Sequence, residues 1–388
     1  MTDQRMLLLV LIVIYLSECF IWIGFGAVAF RTGWRRFRPV DPPTFPGNDR
    51  GGWAMLNPFP PFGEVFVCHQ WPVVVTPEQV GPQTGQSINF RERPATESLE
   101  LPWVAAGKLE GNGSKLSLGG EPMMRLPDEA AAEHFRKVLA RLAKVSPDQR
   151  PEQISRAIRT AFDTAAIEKR LDEYWRLTSL LRTLSLLFFG LLFLLLPISI
   201  YLERFADTVY RVLPMLLLTW VAVMFFYFRA HRRLMPADRL VRWKGLVTMV
   251  FAPTAAIRAS DAVSRHLLTG FDPVAVGAVL LDDKTFAEFA TRILQDLRIP
   301  LPARKSDNRN GAADPAKSDE LATAFRARLT DEVVVLMRKR RVDIDALLGP
   351  PTPADPALRS YCPRCRLEYL VETGTCRDCG ERPLVQLG

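Results

Sequence analysis

Three stretches of the chain are apolar and almost free of charge: residues 6–30, 183–202 and 212–228, which are 25, 20 and 17 residues long. A helix needs about 20 apolar residues (range ~17–25) to cross the hydrocarbon of a bilayer, so each stretch predicts a transmembrane helix. Residues 203–211 leave room only for a tight connection between the second and third, which makes them a helical hairpin. Pro197 and Pro214 fall near its turn, where a lost backbone bond can find water or a neighbour. The first is a single anchor. Ala27-Val28-Ala29 has the small-residue look of a signal-peptide cleavage site, but the apolar run exceeds the ~7–15 residues of a signal h-region, and Arg31, Arg35, Arg36 and Arg38 follow it at once. An uncleaved anchor is expected.

Charge sets the expected orientation. Arginines crowd behind the first stretch, and Arg229, Arg232, Arg233, Arg239, Arg242 and Lys244 follow the third, while Glu203, Arg204, Asp207 and Arg211 in the connection cancel. Cytoplasmic flanks carry the excess of Lys and Arg. The expectation is a multi-pass protein of the cell (inner) membrane with its N-terminus outside and residues 31–182 and 229–388 in the cytoplasm.

Between the spans the pattern changes. Residues 31–63 hold seven prolines and several glycines, which reads as an extended linker with Trp34, Trp53 and Phe59 at the membrane surface. Residues 64–145 carry short β-branched and aromatic runs: Val65–Cys68, Pro72–Thr76, Ser87–Phe90, Ser98–Val104, Gly107–Leu109 and Lys115–Leu118. Gly111-Asn112-Gly113 supplies a hairpin turn, since Asn and Gly tolerate positive φ. Asp128 then caps a helix over Glu129–Val145 with Ala132, Phe135, Val138, Leu139 and Leu142 on one face. Residues 153–182 have helical spacing and lead into the membrane, with Tyr174, Trp175 and Arg176 at headgroup level. After the hairpin, residues 236–299 read as a membrane-proximal helical unit bearing Asp261, Arg265 and His266. Within it Gly245–Ile257 is apolar but too short to span, and reads equally as an interfacial or re-entrant helix or as a packing helix. Residues 300–318 are polar and expected to be disordered; residues 319–348 form a further helix ending in Arg338-Lys339-Arg340-Arg341, and a proline-rich linker precedes residues 360–388.

Composition adds two constraints. With 48% hydrophobic residues an ordinary soluble enzyme is excluded, and with 24% charged residues so is a transporter lying almost wholly in lipid. Glu18 sits inside the first apolar stretch, where a carboxyl is costly and must face protein or be protonated. It reads as a polar clasp to Thr219 or Ser185 of the hairpin; the alternative is a proton or ion site. Gly24 and Gly26 nearby allow close helix approach.

Cys362, Cys365, Cys376 and Cys379 form two C-x-x-C pairs ten residues apart, with Gly380 after the second. Four thiolates so spaced can converge tetrahedrally on one structural Zn²⁺, and in a segment too short for a core the metal supplies the folding energy. A reducing cytosol disfavours disulfides. Cys19 and Cys68 stand apart as buried thiols.

Two resemblances accompany these readings. Tyr361-Cys362-Pro363, Tyr369, Cys376–Gly380 and Leu384-Val385 resemble the short bacterial zinc ribbons, although Arg366 stands where a glycine is usual; the resemblance implies metal binding. Trp71–Thr76, Leu101-Pro102-Trp103, Lys115–Leu118 and the helix with Ala132, Phe135 and Leu139 resemble the bacterial PH-like domains found beside membrane spans, which implies a small helix-capped β-barrel over 64–145.

The fold expected is therefore a multi-domain membrane protein: three transmembrane α-helices, a cytoplasmic α+β domain, a helical unit and a C-terminal zinc ribbon. No H-E-x-x-H, G-x-S-x-G or G-x-x-x-x-G-K-[ST] occurs in the sequence. The expected role is a non-enzymatic, membrane-anchored adaptor or scaffold that touches lipid and grips a protein partner. A membrane-tethered nucleic-acid binder, suggested by a net charge of +8, and a small transporter or membrane enzyme working through Glu18 are the alternatives.

Overall fold

In a computed structural model of the chain, the structure describes residues 3–24, 27–32, 37–40, 51–56, 63–71, 73–75, 77, 79–82, 101–126, 128–201, 208–236, 238–298, 315–344, 349–351, 353, 355–363, 366–377 and 382–387. The expected strand Ser87–Phe90, Trp34, Phe59 and most of the 203–211 connection lie outside these residues.

Two helices are long and apolar enough to cross a membrane, Thr164–Tyr201 (α5) and Tyr210–Leu234 (α6). They pack against each other along their length. α5 is 38 residues long, about 57 Å at 1.5 Å per residue, whereas the hydrocarbon of a bilayer is about 30 Å thick. Its two halves differ accordingly. Ile167, Leu171, Tyr174 and Leu181 of the first half are buried, and Leu186, Leu187, Leu194 and Leu195 of the second half are exposed. The α5 backbone takes π-helical geometry at Leu191–Leu195, just before Pro197, and the chain does so again at Thr208–Val212, leading into α6 just before Pro214. Proline lacks an N–H and its ring crowds the carbonyl four residues back, which a wider turn relieves.

The first apolar stretch is not one helix. Helix α1 covers Asp3–Glu18, and strands β1 (Phe20–Gly24) and β2 (Ala27–Thr32) follow. Phe20 and Trp22 point outward while Ile21 and Ile23 are buried. This period-2 alternation suits a ribbon, and β-branched and aromatic residues favour one. α1 still lies beside the apolar half of α5, with Tyr15 packed on Phe189 and Phe193 at ring-centroid distances of 5.9 and 5.2 Å.

The expected linker over 31–63 also contains strands. β4 (Gly51–Met55) pairs antiparallel with β1, and β3 (Phe37–Val40) pairs with β2. β2 pairs on its other side with β5 (Val65–His69), giving the sheet order β3-β2-β5. Residues 27–32 thus share a sheet with the start of the 64–145 region. Two further three-stranded sheets follow: β6 (Val73–Val75), β7 (Gln79–Pro82) and β8 (Leu101–Pro102); then β9 (Glu110–Asn112), β10 (Lys115–Leu118) and β11 (Glu121–Arg125). Ser98–Val104 does not continue as a strand, because Trp103–Ala106 forms a helical turn (α2). That turn buries Trp103, over which the Arg150 guanidinium stacks at 4.9 Å.

Helix α3 (Glu129–Ala143) closes this part, with the Asp128 carboxylate accepting the Ala131 N–H at its N-terminus. Its face of Ala132, Phe135, Leu139 and Leu142 is buried, and Trp71 packs on Phe135. α4 (Arg150–Ala161) leads to α5. Beyond α6 come α7 (Arg239–Phe251), a 3₁₀ turn at Pro253–Arg258, α8 (Ala259–Leu267), α9 (Pro273–Leu280), α10 (Asp283–Arg298) and α11 (Pro315–Lys339). α11 begins within the stretch expected to be disordered. Arg340, just past its end, pairs with Asp283 and donates to the Leu281 carbonyl, so it serves the C-terminus of α9 as well as its own helix. One large core joins residues from α1 to α11.

Candidate functional site

Three constellations gather the chemically capable side chains. The first is the cysteine module. Ser360–Tyr361 pairs with Glu368–Tyr369 and Val385–Gln386, and Thr375–Cys376 pairs with Arg382–Pro383. Cys362 leaves the first of these strands into a tight turn in which the Arg366 N–H donates to the Cys362 carbonyl at 2.8 Å. Arg366 closes the turn at φ +59°, in the left-handed region that glycine adopts without cost. Cys362 and Cys376 are both fully buried, with Tyr369 and Leu384 packed against them among the described residues. The Tyr369 hydroxyl donates to Cys376 Sγ at 3.0 Å, which orients and favours an anionic sulfur. Cys365 and Cys379 lie outside the described residues, and among the described residues no three His, Cys, Asp or Glu side chains are placed to hold a metal. The chemistry fits a thiolate centre: two buried sulfurs form the middle of a cluster too small to hold itself together.

The second constellation lies where α1, β5, α5 and α8 meet. Glu18 accepts a hydrogen bond from Thr254 at 2.9 Å. Its partner is thus in the turn after α7, and not Thr219 or Ser185. Those hydroxyls donate to the Met215 and Ala256 carbonyls instead. Cys19 Sγ, next in sequence, lies 3.5 Å from Arg258. Arg258 also donates to the Gly63 carbonyl at 2.9 Å. Asp261 and Ser264, three residues apart on one face of α8, accept the Val65 N–H at 2.9 Å and donate to the Val65 carbonyl at 2.7 Å. These two side chains treat β5 as a neighbouring strand would, satisfying an edge that is buried. Arg265 pairs with the same Asp261.

Glu64 is the most constrained group there, at 2% exposure. Tyr174 offers its single hydroxyl proton to two acceptors, Glu64 Oε1 at 3.0 Å and the Ser260 carbonyl at 3.1 Å. Arg182 Nε stands 3.1 Å from Glu64 Oε1, and its guanidinium stacks 4.4 Å over Trp175. The Nε–H itself is not aligned on an acceptor among the described residues, so the pair is one of proximity. Burial pushes the Glu64 carboxyl up to about 7 against the opposing pull of Arg182 and Tyr174. A protonated Glu64 removes the conflict at Tyr174, because the phenol is then free to donate to Ser260.

The third constellation contains histidines. His69 Nε2 meets Asp128 Oδ2 at 2.9 Å, while Asp128 Oδ1 caps α3. Burial works to raise the Asp128 carboxyl, but His69 and the Ala131 N–H outweigh it and hold it at about 2. Burial, with His69 nearby, pushes His134 down to about 4, and burial lowers His266 too. His134 sits against Gly270, whose φ of +99° and lack of a Cβ make room for the ring. The His69 side chain is only 1% exposed while that of Asp128 is 37% exposed, and the pair joins β5 to α3.

Sequence reasoning singled out Asp261, Arg265 and His266 as neighbours on one helix, but not their partners. It expected Tyr174 at headgroup level, whereas Tyr174 is fully buried in protein against Glu64 and Ser260; Glu64 and Arg182 escaped it, since nothing local marks Glu64 as buried. No protein-family model matches the chain, and no curated protein and no solved structure is significantly similar to it. What fold and sites define together is a protein of mixed helices and small sheets with two helices fit to cross a membrane.

Proposed function

We propose that the protein is a non-enzymatic, membrane-anchored adaptor, with α5 and α6 as a transmembrane hairpin of the cell (inner) membrane and α1 as a third, short span. The N-terminus is outside; the sheets, the helical unit and a zinc ribbon face the cytoplasm, and the ribbon grips a protein partner. The observation that carries this reading is the continuity of α5, whose 38 residues run from the polar assembly into an apolar half with one face exposed and the other, at Phe188, Leu191 and Leu192, buried. Such a helix fixes its cargo rigidly to the bilayer. Lys and Arg behind α6 support the orientation. The bond between Glu18 and Thr254 supports a clasp at the end of α1 over a transport pathway.

In the ribbon, Cys362, Cys365, Cys376 and Cys379 would hold one Zn²⁺. Four protein thiolates leave no position for water, so the metal supplies folding energy. Tyr369 orients one sulfur, and the buried turn at Cys362 excludes solvent.

Topology reporters inserted at Gly113 and at Gly311 should both report the cytoplasmic side; opposite sides would overturn the hairpin. Purification of the full chain in mild detergent should retain a protein partner that a variant with Cys362→Ser and Cys376→Ser loses. Salt-sensitive retention of nucleic acid in its place would favour the nucleic-acid reading.

A further inference from the structure

α7 is apolar on the side that faces away from the protein. Leu240, Trp243, Val247, Val250 and Phe251 are 59, 57, 51, 50 and 85% exposed. At 100° per residue they form one stripe about 100° wide. The opposite face is buried and carries Arg242 and Met249. In a helix packed on a water-soluble surface the apolar stripe turns inward, so α7 is arranged for a surrounding medium that is itself apolar.

The neighbours of α7 show where that medium is. α7 runs antiparallel along α6: Trp243 packs on Phe228 at 6.0 Å, and Arg242 stacks over the same ring at 5.1 Å. Gly245 lies against the Tyr227 hydroxyl, with no room for a Cβ. Two turns further, the Trp220 Nε1–H donates to the Met249 carbonyl at 3.1 Å. Arg229 is the first charged residue at this end of α6, and Trp220 stands nine residues before it, about 13 Å deeper at 1.5 Å per residue. Half of a hydrocarbon core of about 30 Å is ~15 Å. The chain then turns at Ala252-Pro253 and comes back beside the apolar stretches of the other two helices. Thr254 meets Glu18, and the Ala256 carbonyl accepts from Ser185, one turn beyond Arg182. Ala256, Ile257 and Ala259 of the returning segment are fully buried in protein. Irregular backbone at membrane depth is tolerated where protein covers it.

From this geometry we infer that α7 and the Pro253–Arg258 turn form a re-entrant hairpin. It enters the bilayer from the side of Arg239, reaches close to the midplane at Phe251 and returns to the same side through α8. The outward stripe is solvated by lipid acyl chains, with Arg239 and Lys244 held near the headgroups. Glu18 and Thr254 pin the hairpin to the end of α1. The inference rests on α6 being a span, and it adds α7 to the lipid-facing surface as a fourth element beside α1, α5 and α6.

The test uses the full chain in nanodiscs, with p-acetylphenylalanine placed singly at Leu240, Val247 or Phe251 and coupled to a nitroxide, which leaves all cysteines untouched. Collision with oxygen, which partitions into lipid, is compared with collision with a water-soluble nickel chelate. Leu218 of α6 serves as the lipid reference and Glu168 of α5 as the aqueous one. Re-entry requires the oxygen-to-nickel ratio to climb from position 240 through 247 to 251, reaching at Phe251 a value several-fold above that at Glu168 and close to that at Leu218. A constant ratio along α7 would place the helix flat on the surface, and an aqueous or protein-shielded ratio at Val247 and Phe251 would give the stripe another occupant; each overturns the inference. An aqueous ratio at Leu218 itself would instead remove α6 as a span.

Discussion

Replacing Glu64 by glutamine should change how the stability of the protein depends on pH. The carboxyl is 2% exposed, and burial pushes its pKa up to about 7 from the usual 4.5. The folded state therefore holds a proton between pH 4.5 and 7 that the unfolded chain has released. The contribution of Glu64 to stability is greatest below pH 4.5 and is lost as pH rises through 7, since stability declines wherever the folded state binds more protons. A difference of 2.5 pKa units at 1.36 kcal/mol each amounts to about 3 kcal/mol. Glutamine keeps the hydrogen-bonding shape, leaves Tyr174 a carbonyl to donate to, and cannot ionise. Arg182 loses a counter-charge but keeps its stacking on Trp175 and is not fully buried. Thermal or SDS-induced unfolding in detergent, followed from pH 5 to pH 8 for both proteins, isolates the contribution by difference, because Asp272 and the histidines titrate alike in each. The wild type should lose about 2.5 kcal/mol relative to the variant over that window, because at pH 5 the unfolded carboxyl is already mostly ionised. An identical pH slope in the two proteins, or a wild type that gains stability towards pH 8 relative to the variant, would refute a proton shared at this site.

Four further substitutions test the packing. Asp128→Ala removes the α3 cap and strips His69 of its buried partner, and should cost about 2–3 kcal/mol in the same unfolding assay. Asp128 is also held at about 2, so its share of stability is present above pH 3.8 and lost as pH falls through 2. Arg366→Gly relieves a left-handed φ of +59° at the expense of a 3.3 Å bond from Arg366 to the Gly349 carbonyl; the ribbon should resist chelator-induced unfolding better by about 1 kcal/mol, and a weaker ribbon would show that the side-chain bond matters more than the backbone. Gly245→Ala drives a methyl into the Tyr227 hydroxyl and should destabilise the α6–α7 contact by about 1–3 kcal/mol, whereas Gly190→Ala, where a Cβ meets nothing, should be neutral or slightly stabilising.

Much of the architecture was legible along the chain because it depends on neighbours in sequence. The apolar stretches at 183–202 and 212–228 became the apolar halves of α5 and α6. Asp128 became the α3 cap, and Gly113 took φ +60° in the β9–β10 hairpin. Lengths, caps and turns of this kind are set within a few residues. The first apolar stretch misled for a physical reason: when every residue is apolar, periods of 2 and 3.6 look the same. The break after Glu18 depends on β4 and β5, which supply the strands that residues 20–32 pair with. Gly51–Met55 likewise looked like linker until β1 gave it a partner. The polar residues were the least legible. Glu18 finds Thr254 236 residues away, and Val65 finds Asp261 196 residues away. A carboxyl carries no local sign of which hydroxyl, strand edge or guanidinium the folded chain will bring to it. The sequence alone determined which segments avoid water; only the tertiary structure decided which buried polar group answers which, because a buried charge or N–H must be satisfied by whatever lies beside it in space.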